Sequence, residues 1–137
     1  MGLFDFLRKQ SHGPYVPEDE YLKNLDNQTK MSPRTLEQLR ELGIDESKQL
    51  RLEYFFYTNT REKAESLGNE LHERGYSVEV CQSAGNKKNS YITGWTNAIR
   101  MTDEDVVNWT KEMCEIGFKY DCQFDGWGTA PDQSDVP

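Results

Sequence analysis

Twice in this chain a run of period two is followed by a capped helical stretch, a glycine and a second run of period two. The first run, Leu50 to Tyr57, alternates for most of its length. It sets Leu52, Tyr54 and Phe56 on one side and Arg51, Glu53, Phe55 and Tyr57 on the other. Asn59 is placed to cap the next stretch, with Glu62 three residues on as in a capping box. Ala64, Leu67 and Leu71 then share a helical face that ends at Gly75, and Tyr76 to Cys81 alternates again. A hairpin-like connection with Gly85 and Asn86 leads to a third strand over residues 90–99, where Gly94 marks a bulge. Thr102 opens the second helix, whose first turn of Asp103, Glu104 and Asp105 suits the helix dipole. Val106, Trp109, Met113 and Ile116 recur at spacings of three and four, Gly117 closes the helix, and a fourth strand runs from Lys119 to Phe124. Two crossovers joined by a hairpin predict an α+β domain of the ferredoxin-like split β-α-β-β-α-β type, a four-stranded antiparallel sheet with both helices on one face.

An extra N-terminal helix is expected before the sheet. Ser32 reads as its N-cap and Pro33 as its first residue, followed by Leu36, Leu39 and Leu42, with Gly43 as the stop. Residues 10–31, with Gly13, Pro14 and Pro17, read as linker containing a short helical turn around Tyr21 to Leu25. Leu3, Phe4, Phe6 and Leu7 make one apolar turn before Arg8 and Lys9. The expected organisation is an extension over 1–31, a domain over 32–130 and a short flexible tail over 131–137.

The formal net charge is -8, and the largest basic cluster is the pair Lys87-Lys88. A nucleic-acid backbone needs a basic footprint, so direct nucleic-acid binding is not expected; a basic protein surface complements this chain better. No apolar run approaches the ~18 residues of a membrane span, and Met1 to Lys9 lacks the pattern of a signal peptide, which places the protein in the cytoplasm. Cys81, Cys114 and Cys122 show no C-x-x-C spacing, so neither a disulfide framework nor a metal site is indicated, and no cofactor motif is present. His12 falls in the linker and His72 in mid-helix, with no nucleophile tied to either. Two alternatives stay open beside a binding protein. One is a small enzyme of the same fold with an unidentified substrate. The other is RNA binding on the open sheet face, where Phe55 and Tyr57 are joined by either Tyr91 and Trp95 or their alternates on the third strand. The plainer reading of those rings is cover by the leading helix, the N-terminal segment or a second subunit, so a homo-oligomer through this face is also open.

After the last strand comes Phe124-Asp125-Gly126-Trp127-Gly128-Thr129. Asp125-Gly126 reads as a turn, and Trp127 sits between two glycines, either folded back as a lid on the core or forming a contact surface with Asp125. This ending, behind a β-α-β-β-α-β order in a small acidic chain, resembles the ribonuclease E inhibitor family RraB. The resemblance covers residues 32–130 in architecture, and its specific motif is the hexapeptide. It implies a bacterial cytoplasmic regulator that binds an endoribonuclease and lowers its activity on RNA without being an enzyme. The candidate partner-binding set is then Asp125, Gly126 and Trp127 together with Asp103, Glu104 and Asp105. In this reading the acids steer a basic segment of the partner and the ring anchors it.

Overall fold

The computed structural model describes residues 13–83 and 86–133. The apolar turn of Leu3 to Leu7 and His12 lie outside these residues. The elements in order are α1 (Glu18–Glu41), β1 (Gln49–Leu50), β2 (Glu53–Thr58), α2 (Arg61–Glu73), β3 (Glu79–Ser83), β4 (Asn86–Trp95), β5 (Ile99–Arg100), α3 (Asp103–Lys119) and β6 (Gln123–Gly128). Four strands form one sheet in the order β3-β4-β2-β6, and β1 pairs with β5 in a second, two-stranded sheet. Every pairing is antiparallel. Helix α2 carries the chain from β2 past β4 to the outer strand β3, and α3 carries it from β4 across β2 to β6 at the opposite edge. The protein is thus α+β, with an antiparallel four-stranded sheet and three α-helices among the described residues.

The alternation in the first run decides which face of the sheet is covered. Leu52, Tyr54 and Phe56 are buried and join Ile92 of β4 and Phe124 of β6. Ala64, Leu67 and Leu71 of α2, with Val106, Trp109 and Met113 of α3, complete this core. Glu53, Phe55 and Tyr57 point to the other face, and Tyr57 is 39% exposed.

Several local expectations are corrected. Ser32-Pro33 does not begin a helix; α1 starts at Glu18, and Pro33 lies inside it. The missing N–H removes one helical bond, but Tyr21, Leu25, Gln28, Ser32, Leu36 and Leu39 recur every three or four residues and pack along one side of α1. The cap of α2 is Thr60, whose hydroxyl accepts from the Lys63 N–H, while Asn59 Oδ1 accepts from Lys63 Nζ. Gly94 is no bulge, since β4 stays in register with β2 through it. Gly117 does not end α3 but lies buried within it against Phe56, and the helix runs on to Lys119. Of the expected tail, Gln133 is tied down: its side chain accepts from the Arg51 N–H at 3.0 Å and donates to the Arg51 carbonyl at 2.7 Å.

The corner before β6 also explains why residues 13–17 are ordered against the domain. Asp121 has a positive φ of 58°, and its carboxylate accepts from the N–H groups of Tyr15 and Val16, each at 2.8 Å, and from Lys63 Nζ at 2.6 Å. Burial works against its charge, but the bonds from Lys63, Val16 and Tyr15 outweigh it and hold the carboxyl below its ordinary range. A depressed carboxyl stabilises the fold fully above its unfolded pKa of ~3.9, and the contribution fades as pH falls through the lower folded value. Asp121→Asn, which tolerates the same backbone conformation, should therefore cost about 1–2 kcal/mol at neutral pH. It should also shrink the gap to the parent protein in strong acid, as followed by urea melts at pH 7 and below pH 4.

Candidate functional site

Phe124 to Gly128 of the hexapeptide lie in strand β6, with Thr129 just past its end, and no turn follows Phe124. Asp125-Gly126 instead forms a bulge: Phe55 of β2 stands opposite Gly126 and Phe56 opposite Phe124, leaving Asp125 as the extra residue. Gly126 takes a φ of 112°, which L side chains avoid, so a glycine is required where the strand changes register. Phe124 is buried, Asp125 is exposed, and Gly126 and Trp127 are half-buried.

Helix α1 reads this strip turn by turn. Asn24 Nδ2 donates to the Phe124 carbonyl at 2.8 Å, the Gln28 side chain lies over Gly126, and Ser32 Oγ accepts from Trp127 Nε1 at 2.9 Å. These three residues stand one helical turn apart, so a single face of α1 covers the outer margin of an edge strand. The same helix lies antiparallel to α3. Tyr21 stacks on Phe118 with ring centres 4.3 Å apart, Ser32 and Thr110 hydroxyls are 2.7 Å apart, and Arg40 Nη2 lies 3.3 Å from Asp103. Trp127 meets Trp109 of α3 edge to face at 6.3 Å. Trp127 therefore joins α1, α3 and the sheet, as a lid on the core does.

The acids of α3 stand at its N-terminus, one to two turns from Trp109. Asp103 and Glu104 are exposed, Asp105 is half-buried, and the Asp105 N–H donates to the Thr102 cap. Several carry basic partners: Arg40 on Asp103 at 3.3 Å, Arg100 on Asp105 at 3.9 Å and Arg74 on Glu112 at 3.3 Å. Pro33, Arg34, Glu37, Arg40 and Asp103 line a shallow groove of about 340 Å³ where α1 meets this end of α3. The structure thus brings Asp125, Gly126 and Trp127 together on β6 and sets Asp103, Glu104 and Asp105 apart from them, along α3.

Among the described residues, this arrangement does not gather a nucleophile and a base. His72 is exposed on α2. Burial pushes the thiols of Cys114 and Cys122 up to about 12, which keeps them protonated. Among the described residues, no group of His, Cys, Asp and Glu is placed to hold a metal ion, and no helix is long and apolar enough to cross a membrane.

The family described as regulator of ribonuclease activity B, RraB, matches residues 29–129. This chain belongs to that family. No curated protein matches it. The matched region opens within α1 just before Ser32 and closes on Thr129, so it holds the whole sheet, α3 and the hexapeptide. The RraB resemblance drawn from the sequence is thereby borne out, and the family's stated role is regulation of ribonuclease activity. Sequence reasoning missed Asn24, Gln28 and Ser32 as the residues that receive the motif. Their signal was present as polar side chains spaced by four within an otherwise apolar stripe.

Proposed function

We propose that this chain is a non-catalytic regulator that binds a ribonuclease of the E type through a basic segment of that enzyme and lowers its activity on RNA. The observation that carries the reading is the family match over residues 29–129. The net charge of -8 favours a basic protein surface over an RNA backbone, and the protonated, buried thiols offer no nucleophile. The frame is read as ferredoxin-like, because the strand order β3-β4-β2-β6 is the one its two split crossovers generate. The site of action is the cytoplasm, where the RNA-processing partner works. In this proposal Asp103, Glu104 and Asp105 steer the partner, Asp125 adds charge on the sheet side, and Gly126 and Trp127 hold that end in place. The direct test is RNA cleavage by a purified ribonuclease E-type enzyme with and without the protein, beside binding measured on an immobilised surface. Unchanged cleavage and no retention at low salt would sink the proposal. Neutralising Asp103→Asn, Glu104→Gln and Asp105→Asn together is expected to slow association by roughly three- to tenfold at low salt, with little change in dissociation. The effect should vanish as salt rises, because exposed charges are screened.

A further inference from the structure

The sheet face opposite the helices combines rings with acids that have no ion pair among the described residues. Across β2 and β4, Tyr57 stands opposite Tyr91 with ring centres 6.0 Å apart, Phe55 opposite Thr93, and Glu53 opposite Trp95. On β3, Glu79 stands beside Thr93. Glu53, Glu79, Thr93, Gly94 and Trp95 line a concavity of about 220 Å³, and Thr93 Oγ1 is a buried oxygen without a hydrogen-bond partner among the described residues. Asp125 precedes Gly126, which stands opposite Phe55 of that face, and its charge adds to burial in raising the Tyr15 phenol. Unlike Asp103, Asp105 and Glu112 on α3, the carboxylates of Glu53, Glu79 and Asp125 have no ion pair among the described residues.

We infer that this open face is the docking surface for an arginine-bearing protein segment, with Glu53, Glu79 and Trp95 receiving a guanidinium and the Phe55, Tyr57 and Tyr91 rings packing on the segment's apolar side chains. The inference rests on the reading of the chain as a protein-binding regulator and names the surface that reading leaves open. Charge decides the occupant. An arginine stacks on an aromatic plane while bonding carboxylates, so rings beside carboxylates match it closely. RNA and anionic lipid are repelled by the same acids. A second copy joined face to face would oppose the three acids to their own images.

The test uses the full-length protein and a labelled twelve-residue peptide of alternating arginine and leucine, with a version carrying glutamate for arginine and a single-stranded RNA as controls. Saturable amide shifts in β2, β3 and β4 with the arginine peptide alone are expected. Glu53→Gln with Glu79→Gln should weaken that binding about tenfold, as should Trp95→Ala. Neutralising Glu112 on α3, which lies outside this face, should leave it unchanged. Equal binding of the glutamate peptide, RNA-induced shifts on the face, or shifts confined to α3 would each overturn the assignment. So would a dimer by sedimentation that buries the face, or contacts from Phe4 and Phe6 to Tyr57 in the free chain. Against the ribonuclease itself, full binding by the Glu53/Glu79 variant would overturn the surface while leaving the regulator reading intact. No ribonuclease binding by the parent protein, with the peptide still bound at the face, would overturn the regulator reading alone.

Discussion

Gly94→Ala is expected to destabilise the protein by about 3–5 kcal/mol, enough to lower the melting temperature by roughly 10–20 °C. A Cβ at position 94 would lie 1.9 Å from the Ser77 carbonyl oxygen and 2.6 Å from the Tyr54 hydroxyl. Neither neighbour can step aside cheaply. The Ser77 carbonyl accepts from Tyr54 at 2.6 Å, the Ser77 N–H donates to the Trp95 carbonyl at 3.0 Å, and Ser77 Oγ accepts from the Trp95 N–H at 2.9 Å. Relief of the clash must break the Tyr54 bond or pull Ser77 away from the end of β4, and Tyr54 is fully buried. Gly128→Ala is the matched control. Its Cβ would meet nothing within 4 Å, so its thermal melt should overlay that of the parent. Equal melting temperatures for the two variants would show that the close approach of residues 77 and 94 carries no weight.

The second large effect concerns Trp127. Trp127→Ala should cost about 3 kcal/mol in urea denaturation, because it empties the space between α1, α3 and β6 and leaves Ser32 Oγ without its indole donor. Trp127→Phe keeps a ring against Trp109 and should lose only about 1 kcal/mol, the share of the hydrogen bond. The pair separates two roles. If the ring serves only to clamp α1 onto the sheet edge, the Phe variant binds its partner as the parent does, and any loss with Ala follows its loss of stability. Lost partner binding in a Phe variant of near-parent stability would make the ring a contact. Ser32→Ala gives an independent check, since Ser32 is 1% exposed and also meets the Thr110 hydroxyl at 2.7 Å. It should weaken the same junction by about 1–2 kcal/mol without touching the ring.

The alternation of Leu52, Tyr54 and Phe56 with Glu53, Phe55 and Tyr57 was readable in the sequence, because side chains in a strand switch faces at every residue whatever packs on them. The spacing of Ala64, Leu67 and Leu71, and of Val106, Trp109 and Met113, was equally readable, and all six are buried as that spacing requires. The net acidity and the hexapeptide sufficed to point at the family. What those signals share is that they are local or compositional.

Tertiary structure decided the rest. A Ser-Pro pair has the composition of a helix start, yet here it lies inside α1, because Gln28 and Ser32 are buried polar residues with neighbours on β6 and α3 that no local rule can see. Asp-Gly has the chemistry of a turn, yet the pairing of β6 with β2 absorbs the extra residue as a bulge, and the strand continues through Trp127. The glycine at position 94 is set by a carbonyl seventeen residues away in the chain. The acids of α3 look alike in sequence to those of β2 and β3. Only the fold brings Arg40, Arg74 and Arg100 to the former and leaves Glu53 and Glu79 without an ion pair among the described residues. Contacts between residues far apart in the chain depend on how the helices and strands are stacked, and a single sequence carries no direct record of that stacking.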